Sequence, residues 1–406
     1  MLKNIYSIIS LRALNFIALF IFIINCNLNG QFLNNINSDF IKIDSNILND
    51  STKVDSVISF IQKNNIDNIF VHVYSNGEAF YNSNLIFSDL DIIDIKDNLI
   101  SFMNKVDSID VKTYAWINVY NLWKKNFYPK NNNHFYYQCP ECLESDINGR
   151  SDKYINLNQI QSLEWEGIYL SPMHPLVNNY ILSIINEVVL KYEFDGLFLD
   201  YLRYQDYYYG YNLEGIEEFK EIHEINPLDF NRGIISRKYG YNNSQIDSLK
   251  SIWKNFKSNK ITELLFAINN NFQNTNLEIG VNAISDPLES KDRYYQDWKF
   301  WIESNLIDFA VIQNLENDFI EFNYLINKIN KQIDSFYRKK IFFEMSSNND
   351  KTFDISNKII SLRLNGYENV GIDYSFSKDT TNWYRQIYEN INFRIDKWKT
   401  NQLKLI

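Results

Sequence analysis

Eight short β-rich runs order this chain: FIKI (40–43), NIFVHVY (68–74), KTYAWINV (112–119), GLFLD (196–200), EIGVNAI (278–284), IDFAVIQ (307–313), KIFFEM (340–345) and VGIDYSF (370–376). Between most of them lie stretches of helical period. VDSVISFIQKNN (54–65) and VNNYILSIINEVVLKYE (177–193) are the clearest, with apolar residues three and four apart. The last four runs recur about every thirty residues, one strand and one helix per unit. Strands that alternate with helices pair in parallel, and eight such units close on themselves. The expected fold is therefore α/β: a (β/α)8 TIM barrel, a single domain over 35–395 with long loop insertions after strands three and four, 120–166 and 201–255. GIYLSP (167–172) reads as a lead-in to the helix that opens with Pro172 and Pro175, so it adds no ninth strand. No linker-like composition divides the chain after residue 35.

Composition narrows the partners. The chain is 45% apolar and 16% aromatic, enough for a large core. A net charge of −10 argues against nucleic acid, which needs clustered Lys and Arg. The 28 Tyr and 29 Phe suit stacking on sugars, although core packing can absorb them all. At the N-terminus, Lys3 and Arg12 precede an uncharged apolar run from Phe16 to Ile24, the layout of an export signal over 1–30. Cleavage between Gly30 and Gln31 gives a soluble exported protein; lipidation of Cys26 gives an anchored one, after a poor lipobox; an uncleaved anchor helix is the third outcome. A lipid on Cys26 is the one membrane contact expected. The expected location is periplasmic, outer-membrane or secreted.

Cys139 and Cys142 form a CxxC that admits half a zinc site with His134, a redox pair or a local disulfide. No second pair completes a zinc site, so a disulfide pinning a long loop is the preferred reading for an exported chain. The four His, at 72, 134, 174 and 223, form no metal-binding pattern, and no nucleotide motif occurs. No cofactor is expected.

In a barrel, polar residues at the C-terminal ends of strands face the mouth. Asp200 holds that place in strand four, sharing a face with Gly196 and Phe198. Asp195, at the other end, reads as a turn or cap residue. Glycoside hydrolysis needs a second carboxyl group. Glu344 near the end of strand seven is the first choice, Asp286 the second and Glu316 the third. Glu344 equally suits an ion pair with Arg203. Asp297 reads as a helix cap. Sugar-binding candidates are His72 and Tyr74 on strand two and Trp116 and Asn118 on strand three. Arg203 and Tyr204 follow strand four; Asn282, Gln313 and Asp373 sit on strands five, six and eight.

YEFDGLFLDYLRYQ, at 192–205, resembles the strand-four signature of the glycosyl hydrolase-like 10 family, which reads approximately YDVDGIHLDYIRYP. NIFVHVYSNGEAFYNS, TYAWINVYN, LSPMHPLVNNYILSIINEVVLKYE and RYYQDWKFWIESNLIDFAVIQ resemble its other segments in order, across roughly 40–380. The resemblance implies a (β/α)8 glycosidase-like barrel that acts on or binds a polysaccharide outside the cytoplasm. It also implies a looser kinship with alpha-amylase-type barrels, in which the residue matching Asp200 is the nucleophile. Phe198 stands where the family often has His, Gln205 replaces Pro, and Gln313-Asn314 replaces Pro-Met; these departures bear on specificity. The expectation is an exported glycoside hydrolase acting on a polysaccharide or peptidoglycan-type glycan through Asp200 and a partner acid. The alternative is a carbohydrate-binding barrel without hydrolytic activity.

Overall fold

A computed structural model describes residues 40–394, apart from 87–92, 161–164, 314, 316–317, 347–351 and 374–384. The expected export segment, with Cys26, lies outside the described residues, as does Glu316. Eight parallel strands appear in the expected places: β1 (Phe40–Ile43), β2 (Asn68–Ser75), β3 (Lys112–Asn118), β4 (Gly196–Asp200), β5 (Glu278–Ala283), β6 (Phe309–Ile312), β7 (Ile341–Ser346) and β8 (Asn369–Asp373). Each pairs with its sequence neighbours, and β1 pairs with both β2 and β8, so the sheet closes into a (β/α)8 barrel.

The helices run α1 (Ser51–Asn64), α2 (Ile93–Val106), α3 (Pro175–Lys191), α4 (Leu213–His223), α5 (Asn243–Phe272), α6 (Pro287–Tyr294), α7 (Trp298–Glu303), α8 (Phe319–Gln332) and α9 (Thr352–Leu364). Local chemistry sets their ends. The Asp50 carboxylate accepts the N–H groups of Thr52 and Lys53 and starts α1, whose Val54, Val57, Phe60 and Ile61 are buried. Pro175 opens α3 behind His174, whose ring nitrogen accepts the Leu176 N–H. Pro172 precedes the helix. Ile168–Tyr169 instead forms a small antiparallel pair with Asn121–Trp123 outside the barrel, so the count of eight holds.

The barrel interior is aromatic. Phe40, Phe70, Tyr114, Phe198, Phe309 and Val311 form one buried cluster, with Trp116 and Phe342 against it. Phe70 stacks on Phe198 at 4.5 Å and Phe309 on Phe342 at 4.6 Å. Rings this large fit because neighbouring strands carry glycine at facing positions. A Cβ on Gly280 would lie 2.1 Å from the Phe309 ring, and one on Gly371 2.2 Å from Phe40. Gly280→Ala is accordingly expected to cost about 1–3 kcal/mol, the range for overpacking a core. Chemical denaturation measures it, and an unchanged midpoint would mean that Phe309 has room to swing aside.

Below the mouth, Asp195 accepts from the N–H and hydroxyl of Thr113, the structural role expected of it. Asp297 occupies the cap position of α7, but its carboxylate pairs with Lys291 at 2.6 Å and accepts no capping N–H. Cys139 and Cys142 are joined by a disulfide in the first insertion. His134 caps the short helix Phe135–Gln138 through one nitrogen and meets Asn76 O through the other, 2.8 Å away.

Candidate active site

Side chains alternate along each strand, so every second residue faces the barrel axis. Moving up β1, β4 and β7, the inward positions change from Phe40, Phe198 and Phe342 to Lys42, Asp200 and Glu344. A cleft of about 680 Å3 opens above this transition. From β2 and β3 it is lined by His72, Ser75, Trp116 and Asn118, and from the end of β6 by Gln313. Asp44, Asn46, Ile47 and Lys53 after β1, with Lys124 and Tyr201 from the insertions, complete the wall.

Asp200 is 4% exposed and held by three donors. Trp116 Nε1 donates to Oδ2 at 3.1 Å, while Asn282 Nδ2 and the Tyr201 N–H donate to Oδ1 at 2.6 and 2.8 Å. All three are N–H groups, so the side chain acts purely as an acceptor, the role of an ionised carboxylate. Tyr201 reaches its bond with φ +51°, a left-handed backbone that tyrosine rarely adopts. The strain turns the chain sharply at the strand end and leaves the Tyr201 ring on the cleft wall.

Trp116 also stacks on His72, centroids 4.0 Å apart and 16° from parallel. His72 Nε2 lies 3.3 Å from Asn118 Oδ1, and Asn118 Nδ2 donates to Ser75 Oγ at 3.0 Å. Burial pushes the His72 imidazole down to about 4, against the pull of Asp44 and Asp200. The ring is thus neutral near pH 7, and Asn118 assigns its Nε2 as the donor.

Glu344 reaches the cleft, and its partner is Lys42 at 2.7 Å rather than Arg203. The Lys42 ammonium also lies 5.0 Å from the centroid of the Trp116 ring and 5.2 Å from that of Phe198. One largely shielded lysine therefore meets both the second carboxylate and the tryptophan that holds the first.

Four expected site residues lie elsewhere. Tyr74 does not share a face with His72, because the pairing of β2 with β3 slips between them: His72 opposes Trp116 and Tyr74 opposes Ile117. This bulge turns Tyr74 outward to Tyr180 of α3 and brings Ser75 to the mouth. Arg203 Nη2 donates to both Glu166 oxygens, at 2.8 and 3.0 Å, and Nη1 to the carbonyls of Tyr204 and Gln205. Tyr204 is buried, with its hydroxyl on the Lys257 carbonyl. Asp286 caps α6 and binds Lys328 and Gln332 of α8, which excludes it from the cleft. Asp373 is the last residue of β8, in register with Ser346. Lys42, Asp44, Ser75 and Lys124 are cleft residues that the sequence reading missed. For Lys42 a signal existed, since alternation in FIKI puts it on the face of Phe40.

A closed parallel barrel with carboxylates at its C-terminal mouth defines a glycosidase-like (β/α)8 protein. The family model described as glycosyl hydrolase-like 10 matches residues 33–341, and the chain belongs to that family. Among solved structures it is similar to the PgaB (BpsB) glycoside hydrolase domain from Bordetella bronchiseptica. The two share 14% identity over 83% of this chain and 94% of that one, with a TM-score of 0.61. It is also similar to the alpha-galactosidase from Lactobacillus brevis, at 10% identity over 88% of this chain and 40% of that one, TM-score 0.48. No curated protein sequence matches it.

Proposed function

We propose that this protein is an exported glycoside hydrolase acting on a polysaccharide or peptidoglycan-type glycan, through a carboxylate pair that includes Asp200. The observation that carries the reading is Asp200 itself, both oxygens fixed by N–H donors in a cleft that also holds Glu344. Family membership and the likeness to the PgaB glycoside hydrolase domain lend support. In this reading Asp200 is the ionised partner, placed to attack or stabilise the positive charge that develops on the sugar. Glu344 is the second carboxyl group: once a bound glycan displaces Lys42, the carboxylate takes up a proton from solvent and donates it to the leaving glycosidic oxygen. His72, Asn118 and Asn282 orient hydroxyl groups, and Trp116 offers its ring. Gln313 Nε2, buried and without an acceptor among the described residues, supplies a further donor.

The Lys42–Glu344 pair also favours a second reading. A glutamate locked to lysine has no proton to give, and the cleft then binds a glycan without cutting it. Digestion of a glycan panel decides: sugar release supports hydrolysis, whereas binding without release by the wild type supports the second reading.

Export is part of the proposal and rests on the N-terminal layout, with a buried disulfide as further support. Fractionation is expected to find the protein outside the cytoplasm. If Cys26 carries a lipid, Cys26→Ser moves it from the membrane to the soluble fraction; unchanged cytoplasmic recovery of both forms opposes export.

A further inference from the structure

The insertion after β3 folds back as a short antiparallel ladder in which Ser145 opposes Ser151 and the Asp152 N–H donates to the Glu144 carbonyl at 2.8 Å. This register sets Glu144 directly opposite Asp152, so their side chains share a face with Cβ atoms about 4.5–5.5 Å apart. Both are buried, at 0% and 2% exposure. Glu144 Oε1 accepts the Ser145 N–H at 3.0 Å, and Ser171 and the Gly210 N–H also favour its charge, as the Tyr169 N–H does that of Asp152; among the described residues no donor lies within hydrogen-bond distance of Glu144 Oε2 or Asp152 Oδ2. Two adjacent carboxylates shut away from water cannot both remain ionised.

The cation facing them is Lys257 of α5, whose ammonium donates to the Tyr209 carbonyl at 3.2 Å and sits 3.6 Å from the Tyr295 ring centroid. No ion pair joins it to either carboxyl group among the described residues. Ser171 from the lead-in to α3, Tyr204 and Tyr209 after β4, Tyr295 after α6 and Asp146 on the ladder are the other groups facing the pair.

We propose that Glu144 and Asp152 share one proton between their facing oxygens, forming a pH-sensitive latch behind one wall of the cleft. Burial pushes Glu144 up to about 7, and burial with the charge of Glu144 raises Asp152 well above the usual carboxylate range. The latch reaches the cleft through Tyr169. The Glu144 N–H donates to the Tyr169 carbonyl at 2.8 Å, and the Tyr169 ring lies 6.2 Å from that of Tyr201, which lines the cleft beside Asp200. When the shared proton leaves to solvent, two buried negative charges repel, the ladder separates and the support for Tyr201 loosens.

The sign follows from linkage. A carboxyl group whose folded pKa is raised contributes stability below its unfolded value, near 4.5 for Glu144, and loses it as pH rises through about 7. Lys257, lowered by burial, acts in the opposite direction, so the difference between wild type and Asp152→Asn isolates the pair. Thermal unfolding of the full chain at about pH 5.5 and pH 8.5 is the experiment. The wild-type Tm is expected to fall by on the order of 5 °C more than that of Asp152→Asn. Infrared spectroscopy of the wild type, which needs no variant to fold, is expected to show a protonated-carboxyl band at neutral pH that fades in alkali. Equal pH slopes in the two proteins, or the absence of the band, overturn the proposal. So does a millimolar calcium or magnesium stabilisation of the wild type that Asp152→Asn lacks, since the pair then holds a metal ion instead.

Discussion

If the protein hydrolyses glycans as proposed, Asp200→Asn is expected to lower sugar release by about 10⁴-fold or more, the scale for losing a nucleophile or its equivalent. The barrel stays folded and glycan binding persists. The replacement is isosteric, and its carbonyl oxygen still accepts from the Tyr201 N–H or from Trp116 Nε1. Its amide group then faces either Trp116 Nε1 or both the Tyr201 N–H and Asn282, so at least one former donor is left unmet, at a cost of about 1–3 kcal/mol. Stability therefore falls modestly while chemistry is lost, and the two effects separate in a denaturation curve set beside reducing-sugar release. Asp286→Asn is the control. Asp286 caps α6 and binds Lys328, so its substitution lowers stability and leaves activity at the wild-type level. Wild-type rates in Asp200→Asn would remove Asp200 from the mechanism.

The barrel was legible because its strands are short, β-rich and spaced by helices. Alternation within a strand then placed Asp200, Trp116, Asn118, Asn282 and Gln313 correctly. Tyr74 failed for a definite reason: the slip in pairing after His72 is a property of two strands together, and NIFVHVYS alone does not contain it. Arg203 was misread because its partner, Glu166, belongs to an insertion whose return path no local pattern reveals. Asp286 is different. Aspartate followed by proline at a helix start is a capping signal visible in the sequence, and it outweighs the residue's nearness to a strand end. Glu344 was placed in the cleft but given the wrong partner, since a contact across the interior between β1 and β7 depends on how the barrel closes.

That contact is the basis of the second large effect. Lys42→Met is expected to destabilise the protein by up to about 3 kcal/mol, the low end for removing one member of a buried pair. The side chains are 9% and 11% exposed and face a cleft, which tempers the cost of stranding Glu344. Methionine preserves the apolar stem against Trp116 and Phe198, so the loss reports charge rather than volume. Glu344→Gln in the same chain should recover much of the stability, because it removes the stranded charge; a double-mutant cycle in urea measures the coupling. Additive losses would mean that the two groups do not interact. Activity then separates the roles of the pair. If Glu344 delivers a proton, removing Lys42 raises its proton affinity and moves the alkaline limb of the pH–rate profile to higher pH. An unmoved limb with intact coupling confines Lys42 to holding the barrel mouth together, and the proton must then come from another group in the cleft.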